Sequence, residues 1–495
     1  MARTGMPRPP GRGRRIAVAF VAALGGVTLL QAGAASAAPR VLTFDQAVRD
    51  ALADNPGLAA SQAGLSAAQA SEDTARASRW PRLSASLRAV RSNDPLTVFG
   101  AKLSQRDVTF RDFGAAQFTG PGSLDVAPET LNHPGAYDNV NPRLSIEWPL
   151  YAGGRMGAAI ARAHQAAAAA RQGNVEARQG VILEVLQAYE GLRAAKAQLA
   201  VARRARKAAR SYLQMARARF RKGTTIRSDV LTAKVRAEQA DLDYGNAQDH
   251  VDLARANLRR LVNLPDDRQF TLGPPATPLV RDASLTSLQH RAEAHNPQLA
   301  RLRHQAQSRK AAVDQARGAY RPDLALRVQR DWYDRTAGFA APSYTVGLVA
   351  SWDIFDFGQR SGKVDQANSH YQAAQDQARG YARRLRISVD RAWRAARRAH
   401  QQVQVSREAV TQSREAQRIL RLRYQKGLVN ITELLDGEAR LEQAESDLVS
   451  ARYALRVHRA TLLARTGRLD LSHFAPANAN GTHQDQGNHE TETGR

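Results

Sequence analysis

Cysteine is absent from all 495 residues, which excludes a disulfide scaffold, thiol catalysis, a cysteine zinc site and an acylated N-terminal cysteine. Aromatic residues make up only 6% of the chain. With alanine so abundant, the composition points to long helices packed through small side chains rather than to a dense aromatic core. No apolar run can cross a bilayer as a helix, because the longest, Ile16–Leu30, falls short of the ~18–20 residues that a span requires. Acidic residues are also scarce, at 46 Asp and Glu against 72 Lys and Arg, for a formal net charge of +26. No Ser/His/Asp set, phosphate-binding glycine loop or catalytic carboxylate pair stands out. The chain is therefore expected not to be an enzyme and to need no cofactor and no metal.

What is present begins with an export signal. Arg3, Arg8, Arg12, Arg14 and Arg15 precede the apolar stretch, and Ala35 and Ala37 are placed as in a small-residue cleavage site. Residues 1–37 thus read as a secretory signal peptide. Its removal lowers the net charge from +26 to +21. Export argues against the nucleic-acid partner that such basicity would otherwise indicate.

A duplication runs through the rest of the chain. Asn55-Pro56 and Pro81 recur as Asn296-Pro297 and Pro322, both at a spacing of 241 residues. Trp148, Lys222-Gly223 and Glu238 recur as Trp352, Lys426-Gly427 and Glu442, all at a spacing of 204. The copies therefore share one plan, and only a connection between Pro81 and Trp148 is longer in the first. The expected organisation is a first repeat over 38–263, an irregular proline-rich linker over 264–280, a second repeat over 281–470, and a polar disordered tail over 471–495.

Each copy reads helix, strand, loop, strand, long helix, turn, helix. The first helix is expected over Phe44–Arg79, stopped by Trp80-Pro81. Then Leu83, Ala85, Leu87 and Ala89 alternate with Ser84, Ser86 and Arg88, and Leu144, Ile146, Trp148 and Leu150 alternate with Arg143, Ser145 and Glu147. The second copy repeats the pattern at Leu324, Leu326 and Val328, then at Tyr344, Val346, Leu348, Ala350 and Trp352. Period-two alternation with aromatics near the ends fits strands that face lipid on one side and water on the other. The connection Ser92–Asn141 is long enough to carry function or internal structure. Gly157–Arg221 predicts a helix of ~95–100 Å at 1.5 Å per residue, matched in length by two shorter helices stacked end to end. Leu434, Leu441, Leu448, Leu455 and Leu462 fall at sevens with Gly437, Ala444 and Ala451 beside them, which describes a narrow coiled-coil seam.

Four strands cannot close a membrane barrel, because open strand edges are not tolerated in lipid. Two copies would supply eight strands and three would supply twelve. The doubled order resembles the TolC-like outer membrane efflux protein family. The resemblance is carried by Trp148-Pro149-Leu150-Tyr151-Ala152-Gly153-Gly154-Arg155 and its counterpart Trp352–Arg360. It is carried also by Phe220-Arg221-Lys222-Gly223 before Asp229-Val230-Leu231, and by Tyr424-Gln425-Lys426-Gly427 before Glu433-Leu434-Leu435. It implies a mainly α fold with a small β-barrel contribution: a homotrimer with a 12-stranded outer membrane β-barrel continued by a periplasmic α-helical barrel. Such a trimer, in the outer membrane of a Gram-negative bacterium, docks a periplasmic adaptor protein and an inner membrane pump and conducts substrates outward passively, as the exit duct of a tripartite efflux pump or of a type I secretion system. The competing architecture, a periplasmic coiled-coil adaptor, calls for one hairpin flanked by β-rich modules instead of two equal copies.

On this reading Lys222, Gly223, Tyr424, Lys426 and Gly427 mark the periplasmic tips where an adaptor docks. Trp148, Tyr151, Trp352 and Phe355 are the aromatics at the barrel's interface. The family's acidic gate ring falls on Glu433 and Asp436, which share a helical face at i and i+3. Leu428, Val429 and Asn430 offer no arginine of the kind some members use as a latch between protomers.

Overall fold

The computed structural model describes residues 40–265, 268–280 and 284–475. The expected signal peptide, and the tail beyond residue 475, lie outside these described residues. The first copy runs β1 (Arg40–Leu42), α1 (Phe44–Asp54), α2 (Pro56–Ala77), β2 (Arg82–Ser92), α3 (Pro95–Gln105), α4 (Glu129–Asn132), β3 (Tyr137–Ala152), α5 (Arg155–Arg221) and α6 (Arg227–Leu261). The second runs β4 (Phe270–Leu272), α7 (Leu285–His295), α8 (Pro297–Gly318), β5 (Asp323–Trp332), β6 (Pro342–Ser351), α9 (Gln359–Gln425) and α10 (Ile431–Arg465). The helices match in length: α1 and α7 have 11 residues each, α2 and α8 have 22, α5 and α9 have 67, and α6 and α10 have 35.

The first helix is not continuous, as the sequence reading had it; it breaks at Asn55, and its counterpart breaks at Asn296. Proline at the next position forces each asparagine into an extended conformation. The asparagine side chain then caps the following helix, accepting from the N–H of Leu58 at 2.9 Å and of Leu299 at 3.0 Å. Such a cap stabilises a helix by about 1 kcal/mol.

Three layers follow from the packing. The sheet has the order β2-β3-β5-β6, all antiparallel. Beneath it, α2, α5, α8 and α9 lie side by side; farther down, the order is α6, α5, α10, α9. At about 100 Å each, α5 and α9 run through both helical layers, and the shorter helices are stacked alongside them.

The main core lies where the two helical layers meet. Leu42, Phe44, Val185, Leu186, Tyr189, Leu192 and Leu258 are buried there, each large side chain contributing ~1.5–3 kcal/mol. The sequence reading missed two strands in this region, β1 and β4, which pair in parallel. The linker is correspondingly less irregular than expected, because Phe270 carries its first part into this core. Phe474 is buried against Phe44, with ring centroids 4.6 Å apart, so order extends a few residues into the segment read as a tail.

The long connection between β2 and β3 folds on itself. Asp94 caps α3, which crosses the rim of the sheet. At its far end the Gln105 amide donates to the carbonyls of Asp138 and Asp334, both at 3.1 Å, and Arg106 donates to the carbonyl of Pro342 at 3.1 Å. The matching connection in the second copy spans only residues 333–341.

Candidate functional site: the wall and its tips

Register gives the sheet two chemically distinct faces. Leu83, Ile146, Val328 and Val346 lie in one row across all four strands, and Trp148, Leu326 and Leu348 in another. On the opposite face Ser84, Ser145, Gln329 and Thr345 form a row, and so do Arg82, Glu147, Arg327 and Gly347. Most of these apolar side chains remain exposed in the single chain, Leu83 at 68% and Leu348 at 63%, while Leu326 and Val328 are half-buried. An apolar face this continuous marks a surface made to contact something other than water. One strand departs from the expected alternation: a bulge between Pro149 and Tyr151 leaves Leu150 without a partner and sets Tyr151 opposite Leu324 on the apolar face.

Aromatics gather at the helical end of this face. Trp148 Nε1 donates to the carbonyl of Arg79 at 3.1 Å, and Trp352 Nε1 donates to that of Tyr320 at 3.1 Å, each closing the end of the helix before its strand pair. Phe355 packs edge-on against Phe357, with centroids 4.7 Å apart, and both rings are exposed. No helix among the described residues is long and apolar enough to cross a membrane.

The two edges of the wall are unpartnered in every layer. One edge consists of β2, α2 and α6; the other consists of β6 and α9. Both carry exposed apolar side chains along their helices, Leu231, Val235, Leu242 and Leu253 on α6 and Ile387, Val405, Ile419 and Leu422 on α9.

At the far end the two hairpin turns sit together. Gly223 and Gly427 adopt positive φ, 71° and 79°, which an L side chain would strain. Lys222 and Lys426 cap the ends of α5 and α9. Tyr424 is buried, and the Arg219 guanidinium of the other hairpin lies 4.6 Å from its ring centroid and donates to the carbonyl of Gln425 at 3.5 Å. Glu433 and Asp436 are exposed on the first turns of α10, opposite buried Leu434, Leu435 and Gly437. The structure brings the tip residues together, whereas Glu433 and Asp436 point away from the chain's own packing.

Behind the tips lies a network that the sequence reading missed. Glu438 accepts from Tyr212 Oη at 3.1 Å and from Gln417 Nε2 at 2.7 Å. Burial pushes the Glu438 carboxyl above the usual carboxylate range, against the pull of those two donors. Burial, reinforced by the Glu438 charge, likewise pushes Tyr212 up. Next to it, burial raises Glu445, but its bonds to Arg204 (2.5 Å) and Arg414 (2.9 Å) outweigh that and hold it low. Together these groups line a groove of about 700 Å³ between α5, α9 and α10. Nearer the core, Glu190 is fully buried and accepts from Arg456 Nη1 at 2.7 Å and from the N–H of Ala276 in the linker at 2.7 Å. Among the described residues no cluster of three His, Asp or Glu side chains is arranged to hold a metal ion.

Comparison with known proteins agrees with this geometry. A family model described as outer membrane efflux protein matches residues 47–264 and 288–468. The alkaline protease secretion protein AprF of Pseudomonas aeruginosa is 25% identical over 349 residues, which cover 68% of this chain and 71% of that one. Protein CyaE of Bordetella pertussis is 28% identical over 361 residues, covering 69% and 73%. Among solved structures, the outer membrane protein VceC of Vibrio cholerae superposes with a TM-score of 0.69 at 19% identity, covering 86% of this chain and 96% of that one.

Proposed function

The chain belongs to the outer membrane efflux protein family and is an outer membrane exit duct, and from that premise we propose that it works as a homotrimer closed side by side. The observation that carries this reading is the repetition of one edge order in three layers. Sheet, upper helices and lower helices all leave β6 and α9 open on one side and β2, α2 and α6 on the other. A head-to-tail contact between such edges generates a ring, and three chains give twelve strands and a bore. Closure pairs the free backbone groups of β2 and β6, which lipid would otherwise leave unsatisfied. It also buries the apolar stripes of α6 and α9. Transport through such a bore is passive and involves no catalysis, in keeping with a family and fold of passive channels.

In this assembly the apolar sheet face meets lipid, with Trp148, Tyr151, Trp352 and Phe355 at the membrane's periplasmic interface. The helical layers extend into the periplasm. Lys222, Gly223, Tyr424, Lys426 and Gly427 form the surface that receives a periplasmic adaptor coupled to an inner membrane pump. Glu433 and Asp436 line the narrow inner end, where three chains bring six carboxylates together. The chain has no native cysteine, so engineered pairs test closure cleanly. Ser86→Cys in β2, combined in turn with Ser343→Cys, Thr345→Cys or Gly347→Cys in β6, should give disulfide-linked trimers in outer membranes for at least one pairing. Monomers throughout the scan would refute the ring.

A further inference from the structure

We infer that the barrel bore favours anions over cations and that Arg82 and Arg88 set this preference; the inference rests on the closed ring proposed above. With the apolar face turned to lipid, the face carrying Arg82, Ser84, Ser86 and Arg88 of β2 lines the bore. Across the register it continues through Arg143, Ser145 and Glu147 of β3 and through Arg327, Gln329 and Asp331 of β5. Two of its arginines are compensated. Arg143 Nε donates to Asp331 at 2.6 Å, and Arg327 Nη2 to Glu147 at 3.2 Å. Glu147 also faces Arg82 across the register, so it is shared between two cations. At the periplasmic end Asp323 is held by Arg155.

Arg82 and Arg88 form no ion pair among the described residues. Closure does not supply them with one. The strand that would lie beside β2 is β6 of the next chain, and its bore-facing residues are Ser343, Thr345, Gly347, Val349 and Ser351. None of these carries a charge. The bore wall therefore keeps two guanidinium groups per chain in excess, six around a trimer, at two heights along its axis. Rings of arginine facing water select for anions, because the potential they impose concentrates counter-ions between low-dielectric walls. This barrel segment, at the opposite end from Glu433 and Asp436, therefore passes negatively charged solutes most readily. The outward-facing Arg91 adds nothing to this field, since it lies on the other face, 3.5 Å from Asp138.

The test is the reversal potential of the full trimer in planar bilayers under a tenfold KCl gradient. The double variant Arg82→Gln/Arg88→Gln should lower the chloride-to-potassium permeability ratio by roughly twofold or more relative to wild type. The double variant Arg82→Lys/Arg88→Lys should retain the wild-type ratio. The difference should shrink at 1 M salt, where screening shortens to about 3 Å. An unmoved reversal potential in the glutamine variant, at wild-type conductance and trimer mobility, would overturn the inference while leaving the duct intact. Failure of the wild-type chain to form any pore would instead remove the closed ring, and this inference with it.

Discussion

Tyr212 donates its hydroxyl proton to Glu438 at 3.1 Å, tying α5 of the first hairpin to α10 of the second. The contact joins the two coiled coils just behind the tips, and Gln417 on α9 donates to the same carboxylate oxygen. A carboxyl raised above its ordinary value binds more protons in the folded state than in the unfolded one. Stability therefore falls as pH rises from about the usual glutamate value, near 4.3, through the raised folded value. Below that window Glu438 is neutral in both states and costs nothing. We predict that Glu438→Gln removes this slope, which amounts to ~1 kcal/mol per pH unit inside the window. Thermal unfolding followed by circular dichroism between pH 4 and 8 measures it. A wild-type slope that survives in the variant would assign the titration elsewhere.

Arg456 holds a different kind of position. The Glu190 carboxylate that it meets is fully buried, and the Ala276 N–H and Arg193 are the other groups beside it. Arg456→Met leaves a buried charge short of its main partner and should destabilise the fold by about 3–5 kcal/mol. Neutralising the carboxylate as well, as Arg456→Met/Glu190→Gln, removes the buried charge while keeping an acceptor for the Ala276 N–H, and should recover most of that loss. Melting temperature together with protease cleavage within 264–280 reads the effect, because the linker is anchored through Ala276. Equal destabilisation in the single and double variants would show that the pair contributes no coupling.

Features with a period were legible in the sequence, and features made by distant contacts were not. The four strands of the sheet announced themselves by alternation, and the equal helices by matching residues at fixed spacings. The break at Asn55 was missed because the helical composition continues through Pro56, although its recurrence at Asn296-Pro297 was visible. β1 and β4 have three residues each, too few for any alternation to register. The bulge at Leu150 shows only in the pairing with β5. Nothing local sets Glu190 and Glu438 apart on their long helices, since their partners Arg456 and Tyr212 lie 266 and 226 residues away. The hairpin turns, by contrast, could be placed from the Lys-Gly pairs alone. Which arginines share the polar face of the sheet required the register of all four strands.

Glu433 and Asp436 offer the sharpest test of how the duct is controlled at its inner end. Both are exposed, neither forms an ion pair among the described residues, and they lie on one face of α10 just beyond its Asn430 cap. In a closed trimer they form two acidic rings at the opposite end from Arg82 and Arg88. A trivalent cation entering from the periplasmic side should bind there and block conduction, because six carboxylates at a constriction hold a high local negative potential. Glu433→Ala/Asp436→Ala should weaken that block by about tenfold or more in planar bilayers, a change of ~1.4 kcal/mol. Arg82→Gln/Arg88→Gln should leave the block as it is while moving the reversal potential. Block unchanged by the acidic substitutions would place the cation site, and with it the gate, on other residues.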